Sequence, residues 1–269
     1  TFTCPVVAQH TDYSKLGDNK AAGKFIDIRG FKMYYESYGQ GEPILMIHGN
    51  GGSVRAFNNQ VPYFAKNYRV IIADSRAQGK SIDTHDSLTY EMMADDLAEL
   101  IDKLHLKQVN IIGWSDGGIN GLLLASRHPD KVKKLAVTGA NLWPDTTAVD
   151  PFIVNFVLHQ ADSLSKIEKT PDVKFQLKML DLVIYQPHIK LEQLKAITCP
   201  SLIIAGDHDV ILNKHTAAIA NAITNSYLWI IPNTGHFTPV TRKDLFNTTV
   251  DAFFKTPYRK IEGMNRMFY

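Results

Sequence analysis

Short apolar runs alternate with amphipathic stretches along most of this chain. Pro43-Ile44-Leu45-Met46-Ile47 is continuous and apolar and stops at His48-Gly49. Tyr68–Ala73 stops in the same way at Asp74, and Val109–Gly113, Leu135–Gly139, Ser201–Ala205 and Tyr227–Ile231 are built alike. Runs of this length and β-branched content suit strands buried on both faces. Between them the spacing turns helical, over 53–64, 89–104, 117–127, 213–223 and 241–255. In the second of these, Met92, Met93, Leu97, Leu100, Ile101 and Leu104 recur three and four residues apart and mark one apolar face. Phe25–Ile28 and Phe31–Tyr38, joined at Arg29-Gly30, read as a hairpin. The alternation predicts an α/β protein with a mostly parallel sheet covered by helices on both faces. Ligands of such sheets bind at the C-terminal ends of the strands.

The rhythm breaks between residues 141 and 196. This stretch holds Pro144, Pro151, Pro171 and Pro187 and two apolar segments, Phe152–Leu158 and Val173–Tyr185. It is too long for a single crossover connection. It is expected to form a small helical cap over the catalytic edge of the sheet, with the core made of 25–140 and 197–269. Residues 1–24 are expected to be a flexible N-terminal segment.

Composition narrows the function classes. The 269 residues are 45% hydrophobic and 21% charged, ordinary for a globular protein with one sizeable core. The net charge is +2, with no long basic run and no basic patch interleaved with aromatics, which argues against a nucleic-acid partner. No apolar stretch approaches the roughly 20 residues that span a bilayer. Cys4 and Cys199 do not make a disulfide framework, and Cys199, just before Pro200 and a predicted strand, reads as a packed small hydrophobe. Val6-Val7-Ala8 has small or branched residues where a signal peptidase reads, so 1–8 is expected to be the tail of a secretory signal. That places the protein in the periplasm or outside the cell; the alternative is a cytoplasmic chain.

The chemistry gathers where the predicted strands end. Gly113-Trp114-Ser115-Asp116-Gly117 follows one run and precedes a helical stretch. A serine in so sharp a strand-to-helix turn stands exposed, and the flanking glycines let the backbone bend. Ser115 is the candidate nucleophile. A serine hydroxyl needs a base in hydrogen-bond reach and a third group to orient that base. His236, in the loop after the last predicted strand, is the candidate base. The acid is expected between serine and histidine in chain order. Asp209 is the favoured acid, and Asp207 is its rival, readable instead as a turn residue bonded to its own backbone. His208 between these aspartates has no second cluster at ligand spacing, so no metal is expected. His48-Gly49-Asn50-Gly51-Gly52 supplies a backbone N–H for an oxyanion, most naturally that of Asn50, and the N–H of Asp116 supplies the second. The loop lacks the Lys-Ser/Thr of a phosphate cradle.

With these residues the chain resembles the α/β-hydrolase family over residues 25–255. The resemblance rests on His48-Gly49-Asn50-Gly51, on Asp74-Ser75-Arg76-Ala77-Gln78-Gly79-Lys80-Ser81, on the turn at Ser115, on Gly206-Asp207-His208-Asp209 and on Gly235-His236. Ala77 departs from the pattern, which usually has glycine there. The resemblance implies an eight-stranded sheet, a cap at 141–196 and a Ser115–His236–Asp209 triad working without a cofactor. It also sets the chain apart from the dehalogenase and epoxide hydrolase branches, which use aspartate where this chain has Ser115. Gly-Trp-Ser-Asp-Gly-Gly with Thr138-Gly139-Ala140-Asn141 is similar to the valacyclovir-hydrolase-like branch, which implies that Asp116 receives a substrate ammonium group. The alternative is an aspartate that complements the helix dipole.

The expected activity is hydrolysis of small carboxylic esters through an acyl-enzyme, by a monomer or homodimer. Trp114, Trp143, Phe152 and Phe156 are the candidates for the acyl pocket, or else plain core. The same triad would serve C–C bond, lactone or amide hydrolysis, or cofactor-free perhydrolysis. From a different class, a ligand receptor on this fold is the remaining alternative.

Overall fold

The computed structural model describes residues 12–85 and 87–268. Their strands are β1 (Gly23–Ile28), β2 (Phe31–Tyr38), β3 (Glu42–Ile47), β4 (Tyr68–Ala73), β5 (Val109–Trp114), β6 (Val132–Thr138), β7 (Ser201–Gly206) and β8 (Ser226–Ile231). Their helices are α1 (Val61–Phe64), α2 (Tyr90–Lys103), α3 (Asp116–Arg127), α4 (Pro151–Ser165), α5 (Pro171–Tyr185), α6 (Asn213–Ala222), α7 (Thr238–Thr241) and α8 (Lys243–Lys255). One sheet runs in the order β1-β2-β4-β3-β5-β6-β7-β8. β1 with β2 and β2 with β4 are antiparallel, and every later pairing is parallel.

The continuous apolar runs have a direct cause. Successive side chains of a strand point to opposite faces. Leu45 and Ile47 of β3 enter the core on one face, while Ile44 and Met46 enter the core on the other. β4 divides in the same way, Ile71 and Ala73 against Val70 and Ile72. α2, α3 and α6 cover the first face, and α1 and α8 cover the second. α2 starts where its sequence says, with Thr89 Oγ1 accepting the Met92 N–H at 3.1 Å.

Two predicted helices are shorter than expected. Residues 53–64 form a 3-10 turn at Val54–Phe57 followed by α1. Pro62 lacks an N–H and cannot continue a helix from upstream, so it opens a new one. Pro239 likewise opens α7, and Arg242, with φ −124° and ψ 35°, separates it from α8. β6 starts earlier than its apolar run. Of the three residues this adds, Lys134 is a buried lysine whose ammonium donates to the carbonyls of Phe253 (2.9 Å), Phe254 (2.9 Å) and Thr256 (2.6 Å) at the end of α8. A cation there satisfies carbonyls that a helix end leaves free.

Between β6 and β7, α4 and α5 pack on each other. The stem of this pair is tied to the loop after β7: the Asp150 N–H donates to Val210 O and the Leu212 N–H to Ala148 O, both at 2.8 Å. Ala77 adopts φ +61°, the left-handed conformation that suits glycine.

The expectation of flexibility up to residue 24 is corrected for the part described. β1 begins at Gly23, and Leu16 is buried. The fully buried Glu36 carboxylate accepts the N–H groups of Gly17 (3.0 Å) and Asn19 (3.3 Å) and the hydroxyls of Tyr34 (2.6 Å) and Tyr38 (2.8 Å). A buried carboxylate without a cation needs that many donors, and the segment supplies two of them. The candidate signal remnant at 1–8 lies outside the described residues.

Glu36→Ala leaves these donors buried without an acceptor. We expect it to lower unfolding stability by about 3 kcal/mol or more in urea titration, with early tryptic cleavage at Lys15 and Lys20. An unchanged midpoint and cleavage pattern would contradict the anchoring of this segment.

Candidate active site

Ser115 sits between the last residue of β5 and the first of α3, at φ 57° and ψ −121°. Such a conformation costs an L-residue about 1–3 kcal/mol. The surroundings hold it there: the Ser115 N–H donates to Thr138 O at 2.9 Å, and Ser115 O accepts from Gly118 (2.7 Å) and Ile119 (3.1 Å). A side chain at Gly117 would place its Cβ 1.9 Å from Ile47 O, and one at Gly113 would come within 2.3 Å of Gly117 O. Both flanking glycines are therefore required by close backbone approach.

His236, in the loop after β8, places Nε2 3.0 Å from Ser115 Oγ and Nδ1 2.7 Å from Asp209 Oδ1. A carboxylate can only accept, so Nδ1 carries the proton and Nε2 of the neutral ring is left to accept from the serine. Asp209 lies on the loop after β7 with its side chain fully buried, and Oδ1 also accepts the Ile211 N–H at 3.0 Å. Asp207 turns away. Its Oδ1 accepts from Thr234 N at 2.9 Å and meets His208 Nδ1 at 2.9 Å, and these bonds hold its carboxyl well below the usual range. Of the two candidate acids, the fold brings Asp209 to His236 and uses Asp207 to pin the histidine loop. Gly139 leaves room for the imidazole, since a Cβ there would lie 2.6 Å from His236 Cε1.

The loop after β3 closes the other side. His48 is buried, with Nδ1–H donating to Gly49 O at 2.7 Å and Nε2 accepting the Ser75 N–H at 2.9 Å. Burial holds its pKa below the usual histidine value. Gly49 lies against the serine, where an added Cβ would be 3.0 Å from Ser115 Cβ. Asn50 follows it, and Asp116 is the first residue of α3, where an N–H has no intrahelical acceptor. The Asn50 side chain has a role not expected from sequence: Nδ2 donates to Asp116 Oδ2 (2.9 Å) and to Met179 O of α5 (3.1 Å). Asp116 is buried, and desolvation pushes its carboxyl up to about 6 against the lowering effects of Asn50, Tyr90 and His236.

Ser115, Asp116 and His236 open into a cavity of about 530 Å³ roofed by α4 and α5. Its lining is mainly aliphatic, including Ile153, Val157, Val183, Ile184, Val210 and Ile211, with Tyr90, Asn141, Asp145 and Gln186 as polar members. Of the four aromatics expected there, Phe156 is on the lining. Trp114 instead donates from Nε1 to His236 O at 3.0 Å and packs edge-on against Phe237. Trp143 packs edge-on against His215 at 4.5 Å between ring centres. Phe152 is 74% exposed on the outer side of α4. α4 is apolar around most of its circumference, so its sequence does not say which face turns inward. Tyr90, Gln186 and the aliphatic lining carry no sequence signal of their own, because packing of the helical pair alone brings them to the site.

Comparison with known proteins agrees with this architecture. A family model described as alpha/beta hydrolase fold matches residues 42–166. The mouse protein named serine hydrolase BPHL is 28% identical over 254 residues, covering 86% of this chain and 85% of that protein. The (E)-2-((N-methylformamido)methylene)succinate hydrolase of Acinetobacter baylyi is 26% identical over 252 residues, covering 83% of this chain and 94% of that protein. The crystal structure of the enol-lactonase from Burkholderia xenovorans superimposes with a TM-score of 0.72 at 21% identity, over 87% of this chain and all (100%) of that one. With its sheet order, its strand-to-helix turn at Ser115 and the match to this family model, the chain has the α/β-hydrolase fold.

Proposed function

We propose that this protein is a serine hydrolase of small, largely apolar carboxylic esters. The observation that carries the reading is the continuous hydrogen-bonded line from Ser115 Oγ through His236 to Asp209, opening into an apolar cavity. In this reading Ser115 Oγ attacks the ester carbonyl while His236 Nε2 takes its proton. Asp209 keeps Nδ1 protonated and steadies the imidazolium that forms. The N–H groups of Asn50 and Asp116 receive the oxyanion, and the first turn of α3 adds its dipole. The tetrahedral intermediate collapses as His236 returns the proton to the leaving alkoxide. Water, deprotonated by the same imidazole, then releases the acid from Ser115.

The lining limits the acyl group. Apart from His236, its charged side chains are the carboxylates of Asp116 and Asp145. An acyl group bearing its own carboxylate would meet repulsion there. The Acinetobacter relative is named for a succinate, so this chain's substrate is expected to differ in charge from that one. Neutral or cationic acyl groups fit, with Asp116 as the partner of a cation.

Ser115→Ala should lower kcat on p-nitrophenyl butyrate by about 10⁴- to 10⁶-fold with an unchanged circular-dichroism melt. Activity that survives the substitution would sink the assignment of Ser115 as nucleophile.

A second prediction follows from the burial of Asp116. Its folded-state carboxyl titrates near 6, above the ordinary value near 4, so folding is penalised where the group must ionise. The cost is absent below the ordinary value and complete above 6, reaching about 3 kcal/mol. Asp116→Asn keeps an acceptor for Asn50 and should be more stable than the wild type at pH 8 but not at pH 4. Equal stability differences at the two pH values would show that the carboxylate is not held in a desolvated state.

A further inference from the structure

Two cavities meet at one residue. The first is the cavity of about 530 Å³ that holds Ser115 and Asp116. The second, of about 670 Å³, lies on the far side of α5, between it and the segment leading into α2. Their linings interleave along both elements. On α5, Val183 and Ile184 line the first cavity, while Leu182 and Tyr185 line the second. Where α2 begins, Tyr90 lines the first, while Leu88 and Thr89 line the second. Among the described residues, only Gln186 lines both.

α5 stops at this point. Gln186 is its C-terminal cap, with extended backbone at φ −144° and ψ 165°. No further helical turn stands between the two cavities, and the seam between the end of α5 and the start of α2 is left to a side chain. Gln186 spans it: Oε1 accepts the Tyr90 N–H at 3.4 Å, and Nε2 donates to Leu88 O at 3.3 Å. Both bonds are longer than the usual N–H···O range. They hold a half-buried amide across the opening without packing it into the core.

The partition has a place in the proposed reaction. His236 returns its proton to the leaving alkoxide, so the alcohol part of an ester lies on the histidine side of Ser115. Gln186 meets the cavity beside Tyr90, which adjoins the Asp116 carboxylate. That end is left to the acyl chain. Beyond the seam, Leu88, Leu182 and Tyr185 continue the apolar lining, and Lys174, Lys178 and Asp181 make the outer cavity polar further on.

We propose that Gln186 is a specificity-determining residue whose side chain is the partition that ends the acyl cavity, and that without it the cavity continues into the outer one. The inference rests on the reading of the site as a serine esterase and deepens it by naming what limits the length of the acyl chain.

The test compares kcat/KM on p-nitrophenyl butyrate and p-nitrophenyl decanoate for the wild type, Gln186→Ala and Gln186→Met. Gln186→Ala removes the partition, and the decanoate-to-butyrate ratio should rise about tenfold or more, the worth of roughly two further buried methylenes. Gln186→Met loses both hydrogen bonds but keeps the length and bulk of the side chain, so its ratio should stay near that of the wild type. Gln186→Ser, which also shortens the side chain, serves the same comparison if Gln186→Ala does not fold. A ratio unchanged by the shortened side chain, or raised equally by Gln186→Met, would overturn the proposal.

A binding arm separates this from failure of the esterase reading. In the Ser115→Ala background, calorimetry with straight-chain 1-alkanols from butanol to decanol should show an affinity that stops rising at some chain length. Adding Gln186→Ala should move that ceiling up by about two carbons or more. A moved ceiling in an enzyme that hydrolyses neither ester would remove the esterase reading and keep the partition. The same ceiling in both proteins would remove the partition.

Discussion

The approach of Gly117 to Ile47 is the contact on which the site depends. α3 begins so close to the end of β3 that no side chain fits between them, and this fixes the backbone of Ser115 in a conformation it would not choose alone. Local strain of this size persists only where the surroundings over-determine it. Here they do, because α3 is buried continuously from Asp116 to Ala125 and is clamped between strands β3 and β6. The sheet order then delivers the remaining parts. β3 lies beside β5, so the loop carrying Asn50 emerges next to the serine. β7 and β8 follow on the other side, and their loops bring Asp209 and His236 across.

Buried carboxylates show how this fold separates scaffold from site. Asp74 is closed by the N–H groups of Val54 and Lys80, Asp96 by the Arg76 guanidinium, and Glu36 by two N–H groups and two phenols. Each of these is a knot between segments distant in sequence, with its acceptors turned inward to protein. Asp116 differs. Burial raises the carboxyls of Asp74, Asp96 and Asp116 alike, but Asp116 holds the amide of Asn50 and stands at a cavity wall. A buried acid with few protein donors at a cavity wall is held at the expense of folding stability.

The sheet was legible because burial on both faces writes itself as unbroken apolar runs, and the positions of Ser115, Asp209 and His236 were legible because each follows such a run. Asp209 was favoured over Asp207 from its place further along the loop, and the direction of each side chain, which the sequence does not carry, separates the two in the structure. The cavity wall was legible least. Large aromatics near the motif pointed to Trp114, Trp143 and Phe152, but Trp114 braces the histidine loop, Trp143 packs on His215, and Phe152 faces outward. Aliphatic residues of α4 and α5 make the wall instead. The anchoring of residues 12–24 has no local sequence signal, because it depends on Glu36, whose burial no local pattern reveals.

That difference in legibility has a physical counterpart in stability. α3 is almost wholly buried, whereas α4 has no buried residue, although Ile153, Val154, Phe156 and Val157 line the cavity. Segments with few buried contacts open at lower free energy than the core to which they are attached. The parts that set the geometry of the serine therefore belong to the most cooperative region of the molecule, and the parts that set cavity shape to the least. Substitutions on α4 can change the shape of the cavity at little cost to folding, while the floor at Tyr90, Asn50 and Asp116 is tied into the sheet. In the proposed reaction, selectivity for chain length and bulk would then reside in the roof, and selectivity for polar groups next to the reacting carbonyl would reside in the floor.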